Sequence, residues 1–160
     1  MKKEELRKNA METLNYFKES DCGRYGKAFE IMTKQYLNGN KGNSKKVSLK
    51  GKHDVKHNGK TYEIKSNCGE INDNIMTNDY IIYTMDNKKD FMNPENAFVF
   101  TPSNFVKMFN DIGLLREKKT TNGYKVQAIQ SYNNSKKKIE LLKNAIAKYA
   151  LCTVEDIVNR

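Results

Sequence analysis

Residues 51–66 read GKHDVKHNGKTYEIKS. Asn58-Gly59 lies between two runs of strand-forming residues, and Asn-Gly is the pair that best accepts the positive φ angles of a type I′ turn. Lys52 to Ser66 is therefore expected to fold as a two-stranded hairpin. With His57 and Lys60 flanking the turn, the register follows by counting outward: Lys56 opposite Thr61, Val55 opposite Tyr62, Asp54 opposite Glu63 and Lys52 opposite Lys65. Side chains alternate along a strand, so Val55, Tyr62 and Ile64 share a face that can pack. The other face carries Asp54, Glu63 and Lys65.

Directly opposed strand residues have Cβ atoms about 5 Å apart, a separation at which like charges destabilise each other. A divalent cation removes that conflict, since Mg²⁺ is held by one or two carboxylates at about 2.1 Å and keeps several waters. Lys65, two residues from Glu63 on the same face, would neutralise a phosphate or favour ionisation of a water. This is a residue set suited to metal-dependent phosphodiester hydrolysis.

Asp54, eight intervening residues and then Glu63-Ile64-Lys65 resemble the PD-(D/E)XK motif of the restriction-endonuclease-like nucleases. In that family the acid and the ExK element occupy adjacent antiparallel strands. The usual proline before the Asp is His53 here, a departure that leaves the chemistry untouched. Many members also carry a Glu on the helix before the hairpin, and Glu30, within GRYGKAFEIMTKQYL, stands at the matching place. The resemblance covers about residues 24 to 101. It implies an α/β fold with a mixed sheet flanked by helices. It also implies a site in which Asp54, Glu63 and the backbone carbonyl of Ile64 ligate Mg²⁺ or Mn²⁺, Lys65 orients the attacking water, and Glu30 completes the site or assists a second ion.

At 160 residues the chain is one domain of ordinary size, with its core expected at about 24–101 and a hairpin and helices at 102–160. Its 29 Lys and Arg against 19 Asp and Glu give a net charge of +10. That excess favours a polyanionic partner, and nucleic acid before membrane, because no basic amphipathic stretch with an aromatic face is present. Cys22, Cys68 and Cys152 are odd in number and widely spaced, the usage of reduced intracellular thiols. His53 and His57, four residues apart on one strand, are about 13 Å from each other and cannot share an ion. With no long apolar run and no signal-peptide pattern, the expected location is the cytoplasm.

Along the chain, residues 3–19 have the spacing of an amphipathic helix with Leu6, Ala10, Leu14 and Phe17 on one stripe. A second helix is expected from about Arg24 to Leu37, with Tyr25, Ala28, Phe29, Met32 and Tyr36 as its core stripe and Glu30 at the flank, outside the buried set. The NGNKGNSKK segment, residues 38–46, reads as a polar loop, and 67–78 as irregular. Tyr80 to Met85 is apolar enough to be a strand buried on both faces. A short link containing Pro94 leads to a further strand at Ala97 to Thr101. The family core usually has a helix between its third and fourth strands; here the link allows a single turn or a simple antiparallel extension.

Pro102-Ser103 opens a helix to about Asp111 with Phe105, Met108 and Phe109 inward and Gly113 as its stop. Leu114 to Gln130 reads as a second hairpin turning at Asn122-Gly123, with Lys118, Lys119 and Lys125 near its tip. Asn134-Ser135 precedes a long helix whose stripe is Ile139, Leu142, Ile146 and Tyr149, available for docking on the sheet or for a homodimer contact. Thr153-x-x-Asp156 has the form of a capping box.

The expected function is that of a metal-dependent deoxyribonuclease acting on DNA. The alternative is a basic nucleic-acid-binding module that cuts nothing, its hairpin acids merely paired with neighbouring lysines. A binding-only surface gains nothing from two acids set together against a phosphate backbone, so the presence of Asp54 and Glu63 beside Lys65 favours catalysis.

Overall fold

The structure, a computed structural model, describes residues 8, 29–30, 32–37, 54–66, 71–85, 94–117, 123–126 and 136–159. Lys8 is helical; the rest of the helix expected over 3–19, the loop at 38–46 and the lysines at 118 and 119 lie outside the described residues. Residues 29–30 and 32–37 belong to a first helix, α1.

The hairpin forms as its sequence dictates. Strands β1 (Val55–His57) and β2 (Lys60–Ser66) pair antiparallel with Val55 opposite Tyr62, Lys56 opposite Thr61 and His57 opposite Lys60. Asn58 and Gly59 take φ values of 50° and 78°, the left-handed pair that a type I′ turn requires.

From β2 the chain does not return by another hairpin. It passes through β3 (Ile71–Asn72) and a 3-10 turn at Asp73–Thr77, then enters β4 (Tyr80–Thr84) parallel to β2, with Tyr62 beside Tyr80 and Ile64 beside Ile82. The segment expected to be irregular is thus the crossover that a parallel pair needs. Thr61 and Asp79 fix where it ends: the Asp79 carboxylate accepts from the Thr61 N–H at 2.9 Å, and the Asp79 N–H reaches the Thr61 carbonyl at 3.1 Å.

Strand β5 (Phe98–Phe100) then runs antiparallel to β4, after a 3-10 turn at Pro94–Asn96, so the short link holds one turn and the strand is an antiparallel extension. β8 (Cys152–Thr153) completes a five-stranded mixed sheet in the order β1-β2-β4-β5-β8. The fold is α/β, a mixed sheet with helices. A small second sheet joins β3 to β7 (Gly123–Val126) and β6 (Leu115–Glu117) in the order β3-β7-β6. Leu115 faces Val126 and Glu117 faces Tyr124, so Gly123 is a strand residue and not part of the turn expected at Asn122-Gly123. Gly123 is placed there by its pairing with Asn72, a long-range partner that no local turn signal reveals.

The large sheet buries both faces. On one side Phe29, Met32 and Leu37 of α1 pack on Val55, Tyr62, Ile64, Ile82 and Val99, with Val154 of the short helix α4 (Val154–Val158). On the other, Ile81, Tyr83 and Phe100 meet α2 (Pro102–Asp111) and α3 (Lys136–Tyr149). β4 therefore contributes alternately to two cores, as a continuous apolar strand should. Leu142 and Ile146 of α3 are buried in the second core, so that stripe docks on its own sheet.

Local signals set the helix ends. Thr101 caps α2 by accepting from the Asn104 N–H at 3.3 Å, and Pro102 follows at the first turn. At its other end Gly113 (φ 73°) allows a Schellman closure, with Leu114 N–H to the Phe109 carbonyl at 2.9 Å and Gly113 N–H to the Asn110 carbonyl at 3.0 Å. Thr153 and Asp156 form the capping box of α4, each side chain accepting from the other's backbone N–H at 3.2 and 2.9 Å. No helix among the described residues is long and apolar enough to cross a membrane.

Two substitutions distinguish turn from core in their effect on stability. A Cβ at Gly59 meets nothing within 4 Å, so Gly59→Ala costs only the left-handed conformation, about 1 kcal/mol, and lowers Tm by about 2–4 °C. Phe105 is fully buried with the rings of Phe109, Tyr83 and Phe100 at 5.1, 5.4 and 5.5 Å, and Phe105→Ala costs about 3–5 kcal/mol. Equal losses for the two in urea unfolding would contradict these packing assignments.

Candidate active site

Asp54 stands just before the first ladder pair, in a bend. Its carboxylate turns in the plane of the sheet and accepts the N–H of Ile64 at 2.7 Å. The geometry has a simple origin. In β2 the N–H and C=O of one residue point to the same edge, and residues two apart point alike, so Tyr62 and Ile64 both address the β1 side. The Asp54 side chain takes up the Ile64 N–H there and lies on the edge to which the Ile64 carbonyl also points.

Glu63 and Lys65 project from the neighbouring positions. They pair in register with Ile81 and Tyr83 and so share the face of the second core. Their side chains are 16% and 23% exposed and form an ion pair at 3.4 Å. That is the spacing expected of residues i and i+2 on one face of a strand.

Glu30 reaches the site from the opposite face, on the helix that covers Val55, Tyr62 and Ile64. Helical spacing places it at the flank of the stripe, outside the buried set, yet its side chain is only 19% exposed. The correction comes from packing: α1 lies close enough to the hairpin's open end that even its flank is shielded. Burial pushes the Glu30 carboxyl up to about 7, the negative charge of Asp54 pushes the same way, and a hydrogen bond with Asp54 favours the protonated form. Lys34, one turn along α1, opposes the shift with an ion pair at 3.1 Å.

Lys34 also belongs to the site's surroundings. Its i, i+4 spacing from Glu30 is the signal the sequence offers. What the spacing does not reveal is its burial, a side chain only 11% exposed.

Four of the residues expected from the sequence thus form two separate contacts: Asp54, bonded to the Ile64 N–H, with Glu30 on the α1 side, and Glu63 with Lys65 on the opposite face. The available donors are hard oxygens, carboxylates with one backbone carbonyl, the set that suits Mg²⁺ or Mn²⁺ and not a soft metal. Among the described residues no three of His, Cys, Asp and Glu come together as a metal-holding group. A cation here would therefore keep several waters, as Mg²⁺ does in one- and two-carboxylate sites. The raised Glu30 carboxyl fits such an ion as well, because adjoining carboxylates that hold a proton at neutral pH are short of positive charge. Comparison with protein-family models, with curated proteins and with solved structures finds no match.

The Glu30 carboxyl gives stability a definite pH dependence. Its folded value of about 7 lies above the ordinary 4.5, so between these values the unfolded chain has released the proton that the folded one keeps. This contribution to stability is present below about 4.5, is lost as pH rises through that window, and stays lost above about 7. Glu30→Gln keeps the shape and removes the titration. It should raise stability at pH 8 by about 1–3 kcal/mol and change it little at pH 4, measured by urea unfolding in EDTA. A variant equally or less stable than the parent at pH 8 would contradict the shielding of Glu30.

Proposed function

We propose that the protein is a metal-dependent deoxyribonuclease that hydrolyses phosphodiester bonds of DNA through a site of the PD-(D/E)XK kind built on a restriction-endonuclease-like core. The observation that carries the reading is the shielded pairing of Asp54 with Glu30 at the open end of the hairpin, with Asp54 bonded to the N–H of Ile64, the residue between Glu63 and Lys65. A merely solvated hairpin would spread its acids among surface lysines. Here two carboxylates adjoin in a shielded place, an arrangement that costs stability and is characteristic of functional sites.

Asp54 and Glu63, with the Ile64 carbonyl, are the residues to hold a divalent cation. When bound, such an ion lowers the pKa of a water and offsets the charge that builds on the phosphate. The Asp54–Ile64 hydrogen bond orients the Asp54 carboxylate in advance. Lys65, held by Glu63, carries its ammonium to the same strand segment, where it can orient a water or meet a phosphate oxygen. Below about pH 7 the Glu30 carboxyl keeps its proton beside Asp54, and a cation bound there would favour its release. The net charge of +10 supplies attraction for the DNA backbone, which falls with salt as counterions are released.

Cleavage and binding separate these roles. Asp54→Asn and Glu63→Gln should each slow cleavage of plasmid and linear duplex DNA in Mg²⁺ by at least about 100-fold, and Lys65→Ala by a similar factor. DNA affinity in Ca²⁺ should be kept or raised in the two acid variants, which lose negative charge, and slightly lowered in Lys65→Ala. A Glu63→Gln protein that cuts as fast as the parent would overturn the catalytic assignment. A parent that binds DNA with Mg²⁺ present and cuts none of these substrates would favour a binding module instead.

A further inference from the structure

Away from the acids, the turn end of the same hairpin borders a cavity of about 250 Å³. Its wall includes Tyr62 and Tyr80, neighbours across the parallel β2–β4 ladder, with ring centroids 5.4 Å apart and planes inclined by 30°. Leu151, 53% exposed, stands beside them just before the edge strand β8. The rim is polar and positively charged: His57, Asn58 and Lys60 come from the turn itself. Asn58 takes a left-handed conformation, φ 50°.

We propose that this cavity holds one unpaired base of a single-stranded nucleic acid. Its volume is below the ~300–1,000 Å³ of clefts for drug-sized ligands, and it suits one flat ring system. The partly exposed Tyr80 ring, backed by Tyr62, and an exposed leucine offer the apolar walls on which any base can stack. The Asn58 amide has a donor and an acceptor for a base edge, while Lys60 is placed at the rim for the adjoining phosphate. An anionic strand also complements the chain's charge of +10. The pocket uses none of the acids, so it stands whether or not the protein cuts.

The test compares fluorescein-labelled ten-residue thymidine DNA with an abasic strand of equal length, by anisotropy in EDTA. The thymidine strand should bind the parent at least about tenfold more tightly. Tyr80→Leu and Leu151→Ser should each reduce that preference severalfold and leave the abasic strand's affinity unchanged; Leu151 is exposed, so its variant tests the pocket without a risk to folding. Glu63→Ala should keep the preference. Equal affinity of the parent for both strands, a preference that survives both pocket variants, or one lost in Glu63→Ala would each overturn the proposal. Cleavage of duplex DNA is read separately and is unaffected by that failure.

Discussion

The hydrogen bond from the Ile64 N–H to the Asp54 carboxylate, 2.7 Å long, is the contact on which the site depends. It supplies a partner to an edge-facing backbone donor that the described β1–β2 ladder does not pair, and so continues the sheet's bonding with a side chain where backbone pairing stops. It also fixes a carboxylate in the plane of the sheet, pointing neither into one core nor the other. Glu30 can then meet Asp54 from the α1 side while Glu63 and Lys65, the chain neighbours of Ile64, project on the α2–α3 side. Preorganisation of this kind is what an electrostatic site needs, since groups already oriented need no rearrangement when charge appears.

That edge is held by an unusually constrained strand. β2 pairs antiparallel with β1 and parallel with β4, and β4 is shared between two hydrophobic cores. The Thr61–Asp79 bonds fix the start of the parallel pairing. A slip of one residue would move Tyr62 and Ile64 out of the α1 core and drive Glu63 into it, a change that burial of uncompensated charge forbids. The aromatic packing of Tyr83, Phe100, Phe105 and Phe109 behind the sheet reinforces the same register. Crowding acids beside such a strand costs stability, and the Glu30 carboxyl on α1, raised by burial and by the charge of Asp54, carries part of that cost.

Local chemistry made much of this legible in advance. Asn58-Gly59 determined the hairpin register, Pro102 and Gly113 bounded α2, and Thr153-x-x-Asp156 bounded α4, because each is a short-range rule about φ or an unpaired N–H. The parallel placement of β4 against β2, the recruitment of Ile71–Asn72 into a second sheet and the position of Gly123 inside a strand were not legible. They are set by pairings between distant segments, and nothing in the periodicity of 67–78 or 114–130 encodes the partner. Glu30 and Lys34 illustrate the same limit at the site: helical spacing puts them on one flank, but only the approach of α1 to the hairpin makes that flank a shielded one.

The most direct test of the central claim, that these carboxylates form a divalent-cation site, is titration of Mn²⁺ into the metal-free protein, followed by electron paramagnetic resonance of the free ion. The account predicts saturable loss of the free-ion signal by the parent, competed by Mg²⁺, and its disappearance in Asp54→Asn with the fold unchanged by circular dichroism. Saturable binding that is undiminished in Asp54→Asn, or no binding by the parent at millimolar Mn²⁺, would contradict it.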